Sequence, residues 1–314
     1  MDYLLRAADT DGLVRAFAAV TTDIAGEAAR RHGTYPVGTA ALGRALTAAA
    51  FLGANLKDDG AVTLRILGDG PLGGVIASAN AHGEVRGYVK NPDVDLPSAA
   101  PGKLDVGRAV GHSGSLYVTT DLRLKEPYTG GAPIVSGEIA EDMANYFRVS
   151  EQTPSAVALG VLVGTDGGVL ASGGLMVQVL PGADGQMTAR LEDNLVHLGQ
   201  VSRLINAGST AEDLLQAGLA GVDFRVLART ELRFRCHCDR DRAAELLISL
   251  GREELADLAE RTDPTEMRCH FCNEVYRFTP EEVRVLLDRA LAAKHKNEAP
   301  AAGGAPPGEN GPEG

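Results

Sequence analysis

Cysteine is scarce in this chain, and the little there is lies in one place. Four cysteines in 314 residues are too sparse for a secreted disulfide framework. The opening MDYLLRAADTDG has three early acids and no apolar core, so it does not read as a signal peptide. Long apolar runs are missing as well. The longest candidate, AVALGVLVG at 156–164, falls far short of the 18 or so residues that span a bilayer. Positive charge is in deficit, with a net charge of -12, which disfavours a nucleic-acid backbone as the main partner. From Glu231 to Arg277 there is no lysine, and eight arginines stand against eleven acidic residues. A ribbon that grips nucleic acid should be basic. These absences lead us to expect a soluble, cytoplasmic protein, reduced at rest, with neither membrane nor nucleic acid as partner. At 32.7 kDa it is long enough for a substantial core and more than one domain.

What is present is a grouping. The cysteines form two tight pairs, Cys236-His237-Cys238 and, 30 intervening residues later, Cys269-His270-Phe271-Cys272. A four-sulfur cage for one metal ion is the simplest explanation, and zinc is its usual occupant. The second pair has the spacing of a zinc knuckle. The first is unusual: side chains two apart diverge on a helix and stand far apart on a strand, so the backbone must turn locally to bring both sulfurs to one ion. A purely structural ribbon would use CxxC twice, about 15–20 residues apart. Zinc sites are nevertheless mostly structural, and the spacing alone favours a structural site over a redox one. His237 and His270 are alternative ligands, but with four thiols available they read as spacers.

Along the chain, residues 13–21 read as a strand and Asp23–His32 as a helix that Gly33 can end. A second helix is expected over Gly38–Lys57, burying one stripe that includes Leu42, Leu46, Ala49 and Gly53. AVTLRILG, GVIASAN, GEVRGYV and SGSLYVTTDLRL then suggest antiparallel strands. Ser136 is expected to cap the helix GEIAEDMANYF, and AVALGVLV-TDGG-VLASGGLMVQVLP reads as a hairpin. Residues 182–231 look like a helix-rich connector with a thin apolar stripe through Leu191, Leu195 and Leu198. After the knuckle, VYRF returns as a strand. Thr279-Pro280-Glu281-Glu282 is a capping box opening a helix with Val283, Leu286, Leu287 and Leu291. From Asn297, four Pro, five Gly and three Glu in 18 residues spell disorder.

One motif is set aside. Gly68-Asp69-Gly70-Pro71-Leu72-Gly73 spells GxGxxG, with Asp93 at a suitable distance for a dinucleotide ribose. That site needs a helix opening at the glycines. Pro71 and the strand–turn–strand pattern beyond it predict a tight β turn instead.

The segments GDGPLGGVIASANAHGEVRGYVKNP (68–92), PYTGGAPIVSGEIAEDMANYFRVSEQTPSAVALGVLV (127–163), and ELRFRCHCDRDRAAELLISLG with MRCHFCNEVYRF (231–278) closely resemble the heat-shock protein 33 family of redox-regulated holdases. The resemblance covers about residues 1–290. It departs at Asp239, where the family often has Ser, which bears on hydrogen bonding to the Cys238 sulfur. It implies an α+β fold with a compact β-rich body at 1–180 and a metastable helical linker at 181–231. A zinc-binding redox switch at 232–296 and a disordered tail at 297–314 complete the expected plan. One zinc per chain would be held by Cys236, Cys238, Cys269 and Cys272 in the reduced, inactive form. The implied partners are unfolding client proteins, a second copy of the chain when oxidised, and ATP-dependent foldase chaperones. No enzyme activity is implied. Four cysteines allow three pairings; local pairing is favoured because each partner is within reach, and the resemblance points the same way, to Cys236–Cys238 and Cys269–Cys272.

The residues themselves support such a switch. A module of roughly 60 residues needs a staple, which structural zinc supplies at about 10–16 kcal/mol in zinc-finger peptides. Oxidised sulfurs are poor ligands, so that stabilisation would vanish. Two rival readings meet specific obstacles. A thiol–disulfide oxidoreductase should carry its CxxC at the start of a helix, whereas Cys272 leads into the expected strand NEVYRF. A structural ribbon for nucleic acid is opposed by the acidic balance.

Overall fold

The computed structural model describes residues 1–123 and 126–298. The chain divides into two compact units: Met1–Cys236 together with His270–Asn273, and His237–Cys269 together with the residues from Glu274 onward. The end of the tail expected to be disordered, 299–314, lies outside the described residues.

The first unit holds two sheets. One has five antiparallel strands in the order β10 (Phe224–Glu231), β1 (Tyr3–Asp9), β2 (Val14–Val20), β9 (Val169–Val179) and β8 (Ser155–Val163). The other runs β11 (Arg233–Phe234), β5 (Glu84–Val89), β4 (Val75–Asn80), β3 (Ala61–Gly68), β6 (Gly114–Asp121) and β7 (Tyr128–Pro133). Only the short β11–β5 contact in it is parallel. The α+β class expected from the sequence is what the chain adopts.

Helix α1 (Thr22–His32) leads into α2 (Pro36–Gly53), the centre of the unit. The sequence predicts that α2 buries one stripe, yet it is buried almost all round. The reason is its composition. With alanine and glycine on every face, both sheets can close on it: a Cβ at Gly43 would lie 2.7 Å from Val161, and one at Gly53 would lie 2.9 Å from the Asn80 carbonyl. Phe17, Leu42, Leu46, Phe51, Leu64, Leu116 and Tyr146 complete this core.

The opening segment, read only for its lack of a signal core, is strand β1. Its neighbour Asp2 caps α1 from a distance, accepting the Asp23 and Ile24 amides at 3.1 and 2.7 Å. Burial pushes the Asp2 carboxyl up to about 6, against the lowering effect of those two amides. The folded chain therefore holds this proton more tightly than the unfolded one. The contribution of Asp2 to stability should rise as pH falls through about 6 and be lost as pH rises through it. Urea unfolding of the wild type and Asp2→Asn at pH 7 and pH 4 should show the wild type gaining on the variant toward acid, by at most about 3 kcal/mol. An equal pH response in both would refute the assignment.

Between β3 and β4 the GxGxxG stretch is a turn, as expected, and no helix opens there. A Cβ at Gly70 would stand 2.5 Å from backbone atoms of Ala109, Val110 and Gly111, so glycine is needed for close approach beside α3 (Val106–Val110). The β8–β9 hairpin turns at Asp166-Gly167, with Gly167 at φ 82°. Ser136, however, is not the helix cap. Helix α4 starts at Ala140 and ends at Val149, and its entry is folded around Asp142. That buried carboxylate accepts the amides of Val135, Ser136 and Ile139 at 2.8, 3.1 and 3.2 Å. A carboxylate one turn inside the helix outcompetes the single serine hydroxyl because it can accept several donors at once.

The connector segment contains three helices, α5 (Gly185–His197), α6 (Val201–Asn206) and α7 (Ala211–Gly218), but ends in strand β10, which pairs with β1. Its stripe is broader than expected. Leu191, Leu198, Val201, Leu214, Leu215 and Leu219 form a second core with Leu5, Ala16, Leu175 and Val177 on the outer face of the five-stranded sheet.

The second unit contains α8 (Arg240–Ser249), α9 (Arg252–Glu260), the hairpin β12 (Thr265–Arg268) and β13 (Val275–Phe278), and α10 (Pro280–Glu298). Thr279 and Glu282 exchange the two hydrogen bonds of the expected capping box. Its core is small: Leu247, Leu255, Phe278 and Val283 with three alanines. No described helix is long and apolar enough to cross a membrane.

Candidate metal centre

The chain reaches the first cysteine pair along the edge of β5. Arg233 and Arg235 donate their amides to the Gly83 and Val85 carbonyls, both at 3.0 Å, which fixes the approach to Cys236. The local turn that the CxC spacing demands is made just beyond. Asp239 caps α8 by accepting the Arg242 amide at 2.8 Å, and the Arg242 guanidinium donates to the His237 carbonyl at 2.6 Å. The Asp239 carboxylate, expected from the sequence to bear on the Cys238 sulfur, serves as a helix cap, a task serine performs about equally well. The Tyr276 hydroxyl donates to the Cys238 sulfur at 3.2 Å.

The second pair sits at the tip of the β12–β13 hairpin. The Cys269 amide donates to the Glu274 carbonyl at 2.9 Å, closing the turn, and Asn273 takes the left-handed conformation at φ 62°. Cys272 therefore leads into a strand, not a helix.

The tip residues have a well-defined setting in the first unit. Phe271 meets the Tyr88 ring edge-on at 5.5 Å and lies under the Arg86 guanidinium at 4.5 Å. His270 packs on Tyr88 at 5.8 Å. The His32 ring lies 3.2 Å from the Phe271 carbonyl, to which Nε2–H donates, and burial holds its imidazole below the ordinary value. Arg31 donates to the Cys272 carbonyl at 3.4 Å, and Asn273 donates to that of Arg31 at 2.6 Å. Arg86 also donates to the Cys236 sulfur at 3.3 Å.

The four sulfurs, drawn from both motifs, lie within 4.8 Å of one another; Cys272 is buried and the other three are half-buried. A tetrahedron with Zn–S bonds of about 2.3 Å has sulfur–sulfur edges of about 3.8 Å, so a small contraction would complete it. Neither His237 nor His270 belongs to the grouping. Four thiolates on a divalent ion leave net negative charge, which Arg86 and the Tyr276 hydroxyl are placed to offset. The residues present fit a thiolate-held metal. The supporting residues were not legible as site residues, because Arg86 and Tyr88 are far from the cysteines in sequence. Their one signal is an Arg and a Tyr two apart on the same face of a strand.

Fold and site together define an α+β protein whose C-terminal part carries a four-cysteine, metal-competent cluster. The Hsp33 protein family model matches residues 2–279. The chain belongs to the Hsp33 family. It is 55% identical over 283 residues to a 33 kDa chaperonin of Symbiobacterium thermophilum, covering 90% of this chain and 96% of that one. A 33 kDa chaperonin of Desulforamulus reducens is 49% identical, over 92% and 98% of the two chains. The crystal structure of the 33 kDa chaperonin from Thermotoga maritima superposes with a TM-score of 0.87 at 36% identity, covering 92% of this chain and 99% of that one.

Proposed function

We propose that this chain is a redox-regulated holdase chaperone. Cys236, Cys238, Cys269 and Cys272 are the switch, and one zinc per chain is bound in the reduced, inactive form. When bound, the zinc supplies a cross-link between the two motifs and keeps the sulfurs as thiolates. Peroxide would oxidise them in pairs, Cys236 with Cys238 and Cys269 with Cys272. In each pair two thiolates lose two electrons to one peroxide, which takes two protons from solvent and leaves as two waters. A disulfide sulfur is a poor ligand, so the oxidised cysteines would no longer hold a Zn²⁺ ion. The switch region then unfolds, and the chain binds unfolding proteins without ATP, acting in the cytoplasm as a dimer. Transfer of clients to ATP-dependent foldases follows from the same reading, which involves no catalysed reaction.

The observation that carries this reading is the approach of all four sulfurs within 4.8 Å in a chain of this family. A structural zinc site would share the geometry, and activity separates the two. Light scattering from a thermally aggregating client should fall when peroxide-treated protein is added and stay unchanged with the reduced protein. Equal protection by both forms, or by neither, would refute redox control.

A further inference from the structure

We propose that the outer edge of β8 is a docking site for an extended, apolar segment of an unfolded polypeptide, which adds to the five-stranded sheet as a sixth strand. The proposal rests on the chaperone reading above and names the surface that reading leaves open.

Sheet edges are normally protected by charge, proline, bulges or brevity, because their unpaired amides template further strands. Among the described residues, three of the four edges of the first unit's two sheets follow that rule. β10 carries Arg225, Arg229 and Glu231, and its pairing with β1 is interrupted by a bulge at Arg6/Ala7. β7 ends in Pro133, and β11 has two residues. β8 does not follow it. Its nine residues, SAVALGVLV, include no charge and no proline, and the only irregularity is a register shift at the Leu162/Val163 end. Among the described residues, the backbone of 155–163 pairs with β9 and with no other element. Alternate amides and carbonyls therefore face outward along the strand.

Two clefts flank this edge. At its C-terminal end a cleft of about 690 Å³ is lined by Leu159, Val161, Leu162 and Val201 together with the charged side chains of Arg44, Lys103 and Glu138. At its N-terminal end a smaller cleft of about 340 Å³ is lined by Pro154 and Ala156, between Ala144 of α4 and Leu191 and Leu195 of α5. A bare backbone ladder beside the mainly apolar smaller cleft suits recognition by main-chain hydrogen bonds, with apolar side chains of the segment at that end and the mixed lining of the larger cleft at the other. That chemistry does not depend on sequence, as an unfolded chain requires. A second copy of this protein is disfavoured as occupant. Its own β8 is flanked by the same residues of α4, α5 and α6, so a second copy would bring a second set of helices to the edge, whereas a single extended segment brings none. Residues of α5 line the smaller cleft and the start of α6 lines the larger one, so any loosening of the connector widens both.

The test is hydrogen exchange on the peroxide-activated full-length chain, with and without reduced, carboxymethylated α-lactalbumin as a chain that cannot refold. Amides of 155–163 should gain protection with the client present, while those of 224–231 at the opposite edge should not. Client binding without protection in β8 would overturn this site and leave the chaperone reading intact. No client binding would overturn both. Protection in β8 that appears without client and grows with protein concentration would assign the edge to self-association and overturn the proposal. A second variable is Leu162→Lys, at a residue that packs in neither core of the first unit. It should weaken client binding at least tenfold with an unchanged thermal transition. Unchanged affinity would count against the edge.

Discussion

Replacing Cys269 and Cys272 with serine is expected to unfold residues 237–298 while the first unit keeps its fold. The second unit buries only Leu247, Leu255, Phe278, Val283 and three alanines as its own core. A fully buried Leu, Val or Phe contributes about 1.5–3 kcal/mol, and ordering each residue costs about 1–2 kcal/mol, so a core of this size leaves little net stability. Zinc held by four thiolates would add about 10–16 kcal/mol, comparable with the whole 5–15 kcal/mol of an ordinary domain. Serine is a poor zinc ligand, and losing two sulfurs removes most of that gain. Elemental analysis should show zinc falling from about one per chain to near zero. Hydrogen exchange should show protection lost throughout 237–298, with β1–β9 unaffected. In the proposed mechanism this variant should also hold clients without peroxide. A zinc ratio that stays near one would refute the four-cysteine cage. Lost zinc with a fully protected second unit would show that its core suffices without metal.

The site was legible where chemistry is local. Two cysteine pairs are visible as spacing, and the hairpin that carries the CxxC is announced by VYRF and by the capping box after it. The supports were not, because they come from distant segments. Arg86, Tyr88 and His32 reach the knuckle through the packing of β5 and α1, and nothing at those positions in sequence points toward 236–272. The fold shows the same division. Alternating segments such as AVTLRILG gave their strands. The all-round burial of α2 is not legible because periodicity measures amphipathicity, and a helix between two sheets has no polar side to reveal. Strand β10 was hidden for the opposite reason. FRVLARTE alternates only loosely, and its pairing is set by β1, more than 200 residues earlier.

Loss of structure on oxidation should proceed in three stages, and the packing of the connector sets their order. The sequence alone suggests a connector with a thin apolar stripe. Its packing in the structure is graded instead. Along α5 only Leu191 is buried, whereas α7 buries Ala211, Leu214, Leu215 and Gly218. Gly218 stands so close to the sheet that a Cβ there would lie 2.4 Å from the fully buried Leu175 side chain. Beyond α7, β10 pairs with β1 from Phe224 to Glu231 with one bulge. Local opening follows buried contact, so α5 should open at a much lower free energy than α7 or β10. After peroxide, hydrogen exchange should show 237–298 losing protection first, then 185–197, with 201–231 following only on heating. The graded arrangement gives heat a part in activation that oxidation alone does not supply. Gly218→Ala tests that step directly. Overpacking against Leu175 should cost about 1–3 kcal/mol, lifting α7 from the sheet and lowering the temperature at which oxidised protein binds clients. If 185–197 opens while zinc is still bound, the helix rather than the sulfur cluster is the primary sensor. If 185–231 opens in one step and Gly218→Ala leaves the temperature unchanged, the connector is a single cooperative unit and its packing gradient has no role in the switch.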